Sequence, residues 1–159
     1  MFSKELRQID PYLKSPYQSN TSKLYDGGSG LVSNIDDYAQ FALMLMNKGE
    51  LNGVRILSES SVELMSKNHL SDSVLSDGAA FGLDGVGFGL TMAVVEDAGR
   101  AGTYSTNGEF SWGGAASTTF WVDPVNQLTA VMMTQYMPSD KYPLREDLKT
   151  LIYSGLSNE

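Results

Sequence analysis

Apolar residues recur at helical spacing most clearly in one segment, where Ile35, Tyr38, Ala42, Leu45 and Met46 share a face. Asp36 and Asp37 would sit at the positive end of that helix, Ser33 followed three residues later by Asp36 forms an acidic capping box, and Lys48 with Gly49 closes the element. A tight glycine turn, Gly27-Gly28-Ser29-Gly30, precedes it. Asn52-Gly53 between Leu51 and Val54 predicts a short hairpin or connector, and Ser58 caps a second helix to about Ser66 with Val62, Leu64 and Met65 inward. Residues 69–85, rich in Ser, Asp and Gly, form a loop. Three β-type runs follow, Gly87 to Val95, Ala116 to Val122 and Leu128 to Gln135, with turns at Asp97-Ala98-Gly99 and Asp123-Pro124-Val125-Asn126. The last two runs pair as a hairpin. A final helix starts near Pro143, with Leu144, Leu148, Leu151 and Ile152 as its apolar stripe.

This order predicts an α+β fold, an antiparallel sheet with packed helices, in one partial domain over residues 1–159. Its parts are a loop-rich lead-in (1–26), a helical part (27–68), antiparallel strands (86–137) and a C-terminal helix (143–157). With 42% hydrophobic and 10% aromatic residues in 159, the chain has material for a core, and 19% charged residues argue against long disorder. A net charge of −8 repels phosphate backbones and anionic lipid, so neither nucleic acid nor membrane is an expected partner. The absence of cysteine excludes disulfides and thiolate chemistry. The first residues, Met1 to Arg7, contain no apolar run of signal-peptide length, and no run approaches the roughly 18 residues of a membrane span.

Side-chain hydrolysis needs a nucleophile with a base in reach, and the chain has one histidine, His69. Its place just after a predicted helix suits a contact with the last carbonyls of that helix. One histidine without cysteine supplies no zinc site, and Asp72, Asp77 and Asp84 lack calcium-loop spacing, so no cofactor or metal is expected. Gly82, Gly85, Gly87 and Gly89 run into a strand instead of opening a helix, which fits close backbone packing and not a phosphate loop.

The stretch Phe110-Ser111-Trp112-Gly113-Gly114-Ala115-Ala116-Ser117-Thr118-Thr119-Phe120-Trp121-Val122-Asp123-Pro124, followed by Leu128-Thr129-Ala130-Val131-Met132-Met133, resembles the third motif and following hairpin of family VIII carboxylesterases and class C β-lactamase relatives. These proteins carry Lys-Thr-Gly, His-x-Gly or Trp-Gly-Gly there. Two upstream blocks resemble the same family in the same order: Gly27 to Ser33 with Asp37-Tyr38-Ala39-Gln40-Phe41, and Gly53 to Leu57. The resemblance spans roughly residues 25–137. It implies the C-terminal part of a β-lactamase or penicillin-binding-protein-like fold, with Trp112, Gly113, Gly114 and Ala115 facing substrate. The Ala115 N–H would donate to a developing oxyanion. Trp112, in place of lysine or histidine, would offer an apolar wall better suited to an ester acyl group than to a carboxylate-bearing β-lactam.

The family's nucleophile lies in Ser-x-x-Lys, and this chain has none: the residues three before its lysines are Met1, Pro11, Asn20, Leu45, Leu64, Pro138 and Glu146. No tyrosine precedes asparagine by two, and Tyr104-Ser105-Thr106 is a loose echo only. Two expectations follow. The chain is the C-terminal portion of a serine hydrolase acting on a small ester or β-lactam, without its nucleophile; alternatively, it is a non-catalytic binding or assembly module on the same half-fold. In proteins of this resemblance an N-terminal strand covers the strand that is here Leu128 to Gln135. Without it, that strand is an apolar edge that should bind the missing N-terminal segment or a second copy.

Overall fold

The computed structural model of the chain describes residues 6–8, 27–28, 31–76, 84–139 and 141–156. The expected lead-in loop, much of the first glycine turn, and Asp77 and Gly82 of the 69–85 loop fall largely or wholly outside them. Two compact units divide the chain, residues 1–33 and residues 34–159. In the first, residues 6–8 and 31–33 are exposed irregular chain and residues 27–28 form a turn.

The second unit opens with helix α1, Ile35–Met46. Its cap sits one residue later than the sequence suggests. The Asn34 side chain accepts from the Asp37 N–H at 2.9 Å and donates to the Asp37 carboxylate at 2.7 Å, so the reciprocal pair is Asn34 with Asp37 rather than Ser33 with Asp36. The helix closes through Lys48 and Gly49, both at positive φ, with the Gly49 N–H donating to the Met44 carbonyl at 2.8 Å. Strands β1 (Glu50–Leu51) and β2 (Val54–Arg55) form a minimal hairpin around Asn52 and Gly53. Both turn residues have positive φ, as a tight two-residue turn requires.

Helix α2 (Glu59–Met65) is capped by Ser58 and buries Val62. Leu64 is not inward but exposed, since two residues of helix rotate it to the far side of Val62. A short helix, α3 (Asp72–Ser76), interrupts the expected loop. The expected run from Gly87 to Val95 is two strands, β3 (Val86–Phe88) and β4 (Ala93–Val95), folded back on each other. Gly89 makes the close approach possible: a Cβ there would lie 2.0 Å from the Met65 carbonyl oxygen at the end of α2. The expected turn at Asp97 is a one-turn helix, α4 (Ala98–Ala101), capped by the Asp97 side chain.

Strands β5 (Phe110–Gly113), β6 (Thr119–Asp123) and β7 (Leu128–Met132) complete a five-stranded antiparallel sheet in the order β3-β4-β5-β6-β7. The β6–β7 hairpin forms as expected, but β6 starts later than Ala116 and β7 ends before Gln135. Residues 114–118 are instead a turn. Helix α5 spans Leu144–Ser154.

Alternation along the strands gives the sheet two chemically distinct faces. Phe110, Phe120 and Val122 join Ala42, Met44 and Leu45 of α1 and Val62 of α2 in an apolar core. Tyr38, Phe41 and Phe120 meet edge to face, with centroids 5.3–6.0 Å apart. On the other face Trp121 lies beneath the Lys149 ammonium of α5, 5.5 Å from the ring centroid. Helices therefore cover both faces. The inward side of α5 carries Leu144, Leu148 and Ile152 together with Arg145, Lys149 and Tyr153, whereas Leu151 is 71% exposed, contrary to the expected stripe. Among the described residues, no helix is long and apolar enough to cross a membrane.

Candidate functional site

The four residues singled out from sequence, Trp112, Gly113, Gly114 and Ala115, lie at the C-terminal end of β5, the central strand, and lead into the turn at 114–118. They close a strand and do not open one. Strand β4 pairs with β5 only through Phe110 and Ser111, so Trp112 and Gly113 run past that pairing while still matched to Phe120 and Thr119 of β6. The Trp112 ring packs edge to face on Phe88, centroids 5.4 Å apart, and stays 40% exposed.

The turn is held from several sides. The Gly114 N–H donates to the Thr118 carbonyl at 3.0 Å, and the Ser117 N–H to the Gly114 carbonyl at 3.1 Å. Ser117, buried and at positive φ, donates its hydroxyl to the Tyr136 carbonyl at 2.8 Å. The Ala116 carbonyl accepts from the Thr134 hydroxyl and the Tyr136 N–H. From α5, Arg145 Nη2 donates to the carbonyls of Gly114 at 2.9 Å and Thr118 at 3.0 Å. The N–H groups of Ala115 and Ala116 have no acceptor among the described residues, and Ala115 is the exposed one. The turn thus fixes the carbonyls of Gly114, Ala116 and Thr118 and leaves the N–H of the exposed Ala115 without an acceptor among the described residues.

Gly113 answers to the helix rather than to an approaching ligand. A Cβ there would lie 2.6 Å from Arg145 Nη2 and 2.9 Å from the Thr118 carbonyl oxygen.

Behind β5 and β6 lies a buried polar cluster that the sequence reading did not single out. Glu109 and Asp123 are fully buried. Glu109 pairs with Lys149 of α5. Asp123 accepts from the Thr106 hydroxyl (2.6 Å), the Val125 and Asn126 N–H groups (3.0 and 3.1 Å) and the Asn126 side chain (2.7 Å). The Tyr153 hydroxyl lies 2.6 Å from Asp123 Oδ2 and 2.9 Å from Glu109 Oε2. A phenol has one proton to give. If it goes to Asp123, the contact with Glu109 is satisfied when Glu109 itself is protonated. Burial pushes the Glu109 carboxyl up, opposed by Lys149 and Tyr153. Burial also raises Asp123, but the hydrogen bonds from Thr106, Tyr153 and Asn126 outweigh it and hold that carboxyl low. The available signal was the spacing of Arg145, Lys149 and Tyr153, four residues apart on the same side of a helix as Leu148 and Ile152.

His69 takes the structural role expected of it, with Nε2 2.8 Å from the Leu64 carbonyl oxygen. Asp84 pairs with Arg100 at 2.5 Å. Among the described residues no group of three His, Asp or Glu is placed to hold a metal ion. A depression of about 450 Å³, lined in part by Gly99, Thr103, Tyr104, Glu146 and Thr150, lies between α4 and α5 and does not include residues 112–115.

An antiparallel sheet between helices, with a glycine turn closing its central strand, has the α+β architecture of the β-lactamase and penicillin-binding-protein fold. The chain belongs to the Beta-lactamase family, whose pattern matches residues 3–153. Protein Rv1367c and Uncharacterized protein MT1414, both of Mycobacterium tuberculosis, are each 38% identical to it over 119 residues, covering 71% of this chain and 29% of theirs. Among solved structures it resembles EstCE1, a hydrolase with promiscuous acyltransferase activity, at 28% identity and TM-score 0.68, over 80% of this chain and 31% of that one. Unliganded simvastatin synthase LovD from Aspergillus terreus shares the fold at 19% identity and TM-score 0.67, over 87% of this chain and 37% of that one. The chain spans 29% of the curated relatives' length.

Proposed function

We propose that this chain is the C-terminal portion of a β-lactamase-like serine hydrolase that works through an acyl-enzyme, and that it supplies the Ala115 N–H to the oxyanion. The observation that carries the reading is the turn at 114–118. The carbonyls of Gly114, Ala116 and Thr118 are tied down while the N–H of the exposed Ala115 has no acceptor among the described residues. A donor held in place before reaction needs no reorganisation as charge develops on a substrate oxygen, which is the main electrostatic requirement of acyl transfer. The likeness to EstCE1, a hydrolase with acyltransferase activity, supports the same chemistry. Trp112, exposed on the strand that leads to the turn, would present an apolar wall to an ester acyl group.

With no Ser-x-x-Lys, this chain by itself holds no activated serine. Incubated alone, it is expected to hydrolyse chromogenic esters and β-lactams at background rate and to take up no fluorophosphonate by intact mass. The DNA upstream of Met1 is expected to encode an in-frame Ser-x-x-Lys. Stoichiometric labelling of one serine in this chain would overturn the reading. An upstream sequence without the motif would favour a non-catalytic module on the same half-fold.

A further inference from the structure

We infer that Arg145 is a positioning residue for the Ala115 N–H. By gripping the Gly114 carbonyl from α5, it sets the plane of the Gly114–Ala115 peptide and therefore the direction of the donor. Its catalytic meaning rests on the proposed oxyanion role of Ala115; the geometric statement does not.

A peptide unit is rigid and planar, and in the trans form its C=O and N–H point in opposite directions. The cis peptide among the described residues is Met137-Pro138, so the Gly114–Ala115 unit is trans. Whatever fixes the Gly114 oxygen thus fixes the Ala115 N–H on the opposite side. That oxygen accepts from Arg145 Nη2 at 2.9 Å and from the Ser117 N–H at 3.1 Å. The same Nη2 reaches the Thr118 carbonyl at 3.0 Å, so one guanidinium nitrogen bridges both ends of the turn. The donor is charged, which makes these bonds stronger than neutral ones.

Two further facts set Arg145 apart from a helix residue that merely fills space. Its Nε is buried without an acceptor among the described residues, a cost that a placement chosen for burial alone would avoid. Its path to the turn also exists only because residue 113 is glycine: a Cβ there would stand 2.6 Å from Nη2 and 2.7 Å from Cζ. Gly113 and Arg145 therefore act as one device, a gap in the strand and the cation that passes through it. Lysine would keep the charge, but its ammonium on a flexible stem lacks the planar, pre-organised fork.

The test is nuclear magnetic resonance on the isotope-labelled full chain. It reads the Gly114 carbonyl carbon shift and the Ala115 N–H residual dipolar coupling in wild type, Arg145→Met, Arg145→Lys, Gly113→Ala and Val62→Ala. Both arginine variants and Gly113→Ala are expected to move the Gly114 carbonyl upfield and to change the Ala115 coupling, while couplings in β5 and β6 keep their wild-type values. Val62→Ala, which thins the core on the sheet face opposite α5, is expected to lower Tm and leave both readouts unchanged. Wild-type values in a folded Arg145→Met chain overturn the inference, as do equal changes in Val62→Ala. Should Arg145→Met not fold, Arg145→Lys decides, because it keeps the charge and removes only the planar fork; Gly113→Ala corroborates, since its Cβ also meets the Thr118 carbonyl. A chain that passes this test yet takes up fluorophosphonate would sink the proposed function and leave the positioning role standing.

Discussion

Asp123 ends β6 and is the point where three parts of the molecule are tied: the 124–127 turn, the segment holding Thr106, and α5 through Tyr153. An aspartate before proline at a turn reads locally as a turn starter. Burial gives it a second role, since a fully buried carboxylate is tolerated only when its lone pairs are met. Asp123→Ala removes the acceptor shared by the Thr106 hydroxyl, the Val125 and Asn126 N–H groups and the Asn126 side chain, and leaves Tyr153 with Glu109 alone. A loss on the order of 3 kcal/mol is expected in urea unfolding, against roughly 0.5 kcal/mol or less for a surface control such as Asp36→Ala. Glu109 gives the opposite pH signature. Its folded value lies above the ordinary 4.5, so between the two the native chain holds a proton that the unfolded chain has released. This contribution is fully present below 4.5 and is lost as pH rises toward the raised value. Asp123, held below 3.8, contributes above that value and loses its contribution as pH falls through the lowered one. Urea midpoints across pH should therefore show a decline as pH rises above 4.5 that disappears in Glu109→Gln, while the acid-side loss remains. An unchanged decline in that variant would show that Glu109 is not its source.

At the level of elements, what could be read along the chain was what neighbouring residues decide. Most of the face of α1 (Tyr38, Ala42, Leu45 and Met46, with Ile35 exposed and Met44 buried instead), the Asn52-Gly53 hairpin, the Ser58 cap and the Asp123-Pro124 turn depend on residues within one or two helical turns, and form. The misses have tertiary causes. The run from Gly87 to Val95 has the composition of one strand, but Gly89 lets the end of α2 close on the backbone and the chain turns back to make two. Leu151 fits an apolar stripe by spacing, yet the rotation of α5 is decided by Glu109, Asp123 and the 114–118 turn, which draw Arg145, Lys149 and Tyr153 inward. Partners 27 to 44 residues away leave no periodic trace. The same limit applied at the candidate site: the motif at residues 112–115 was visible as a string, but the arginine that holds its turn was not.

At the scale of the molecule, the sheet among the described residues ends at β7, whose five residues are all half-buried. We propose that this edge is covered by association, with a second copy when the chain is alone or with an N-terminal segment of the parent protein. Strand β7 carries no proline or charge to block such pairing. Light scattering at high micromolar concentration is expected to give a dimer or larger species, with slow amide exchange along β7. A monomer with fast exchange there would count against it.

The helix that steadies the turn is itself lightly anchored. No residue of α5 is buried, and its hold on the sheet comes from an ion pair, a phenol and a guanidinium together with three half-buried apolar side chains. Such an element is the kind that opens locally, at a free energy below that of global unfolding. Each opening would withdraw Arg145 and release the peptide plane, so the Ala115 N–H is aimed only for the fraction of time that α5 is docked. Binding and docking then become linked quantities: a ligand that prefers the ordered turn tightens a helix it never touches, and protection of α5 amides should rise in proportion to its occupancy.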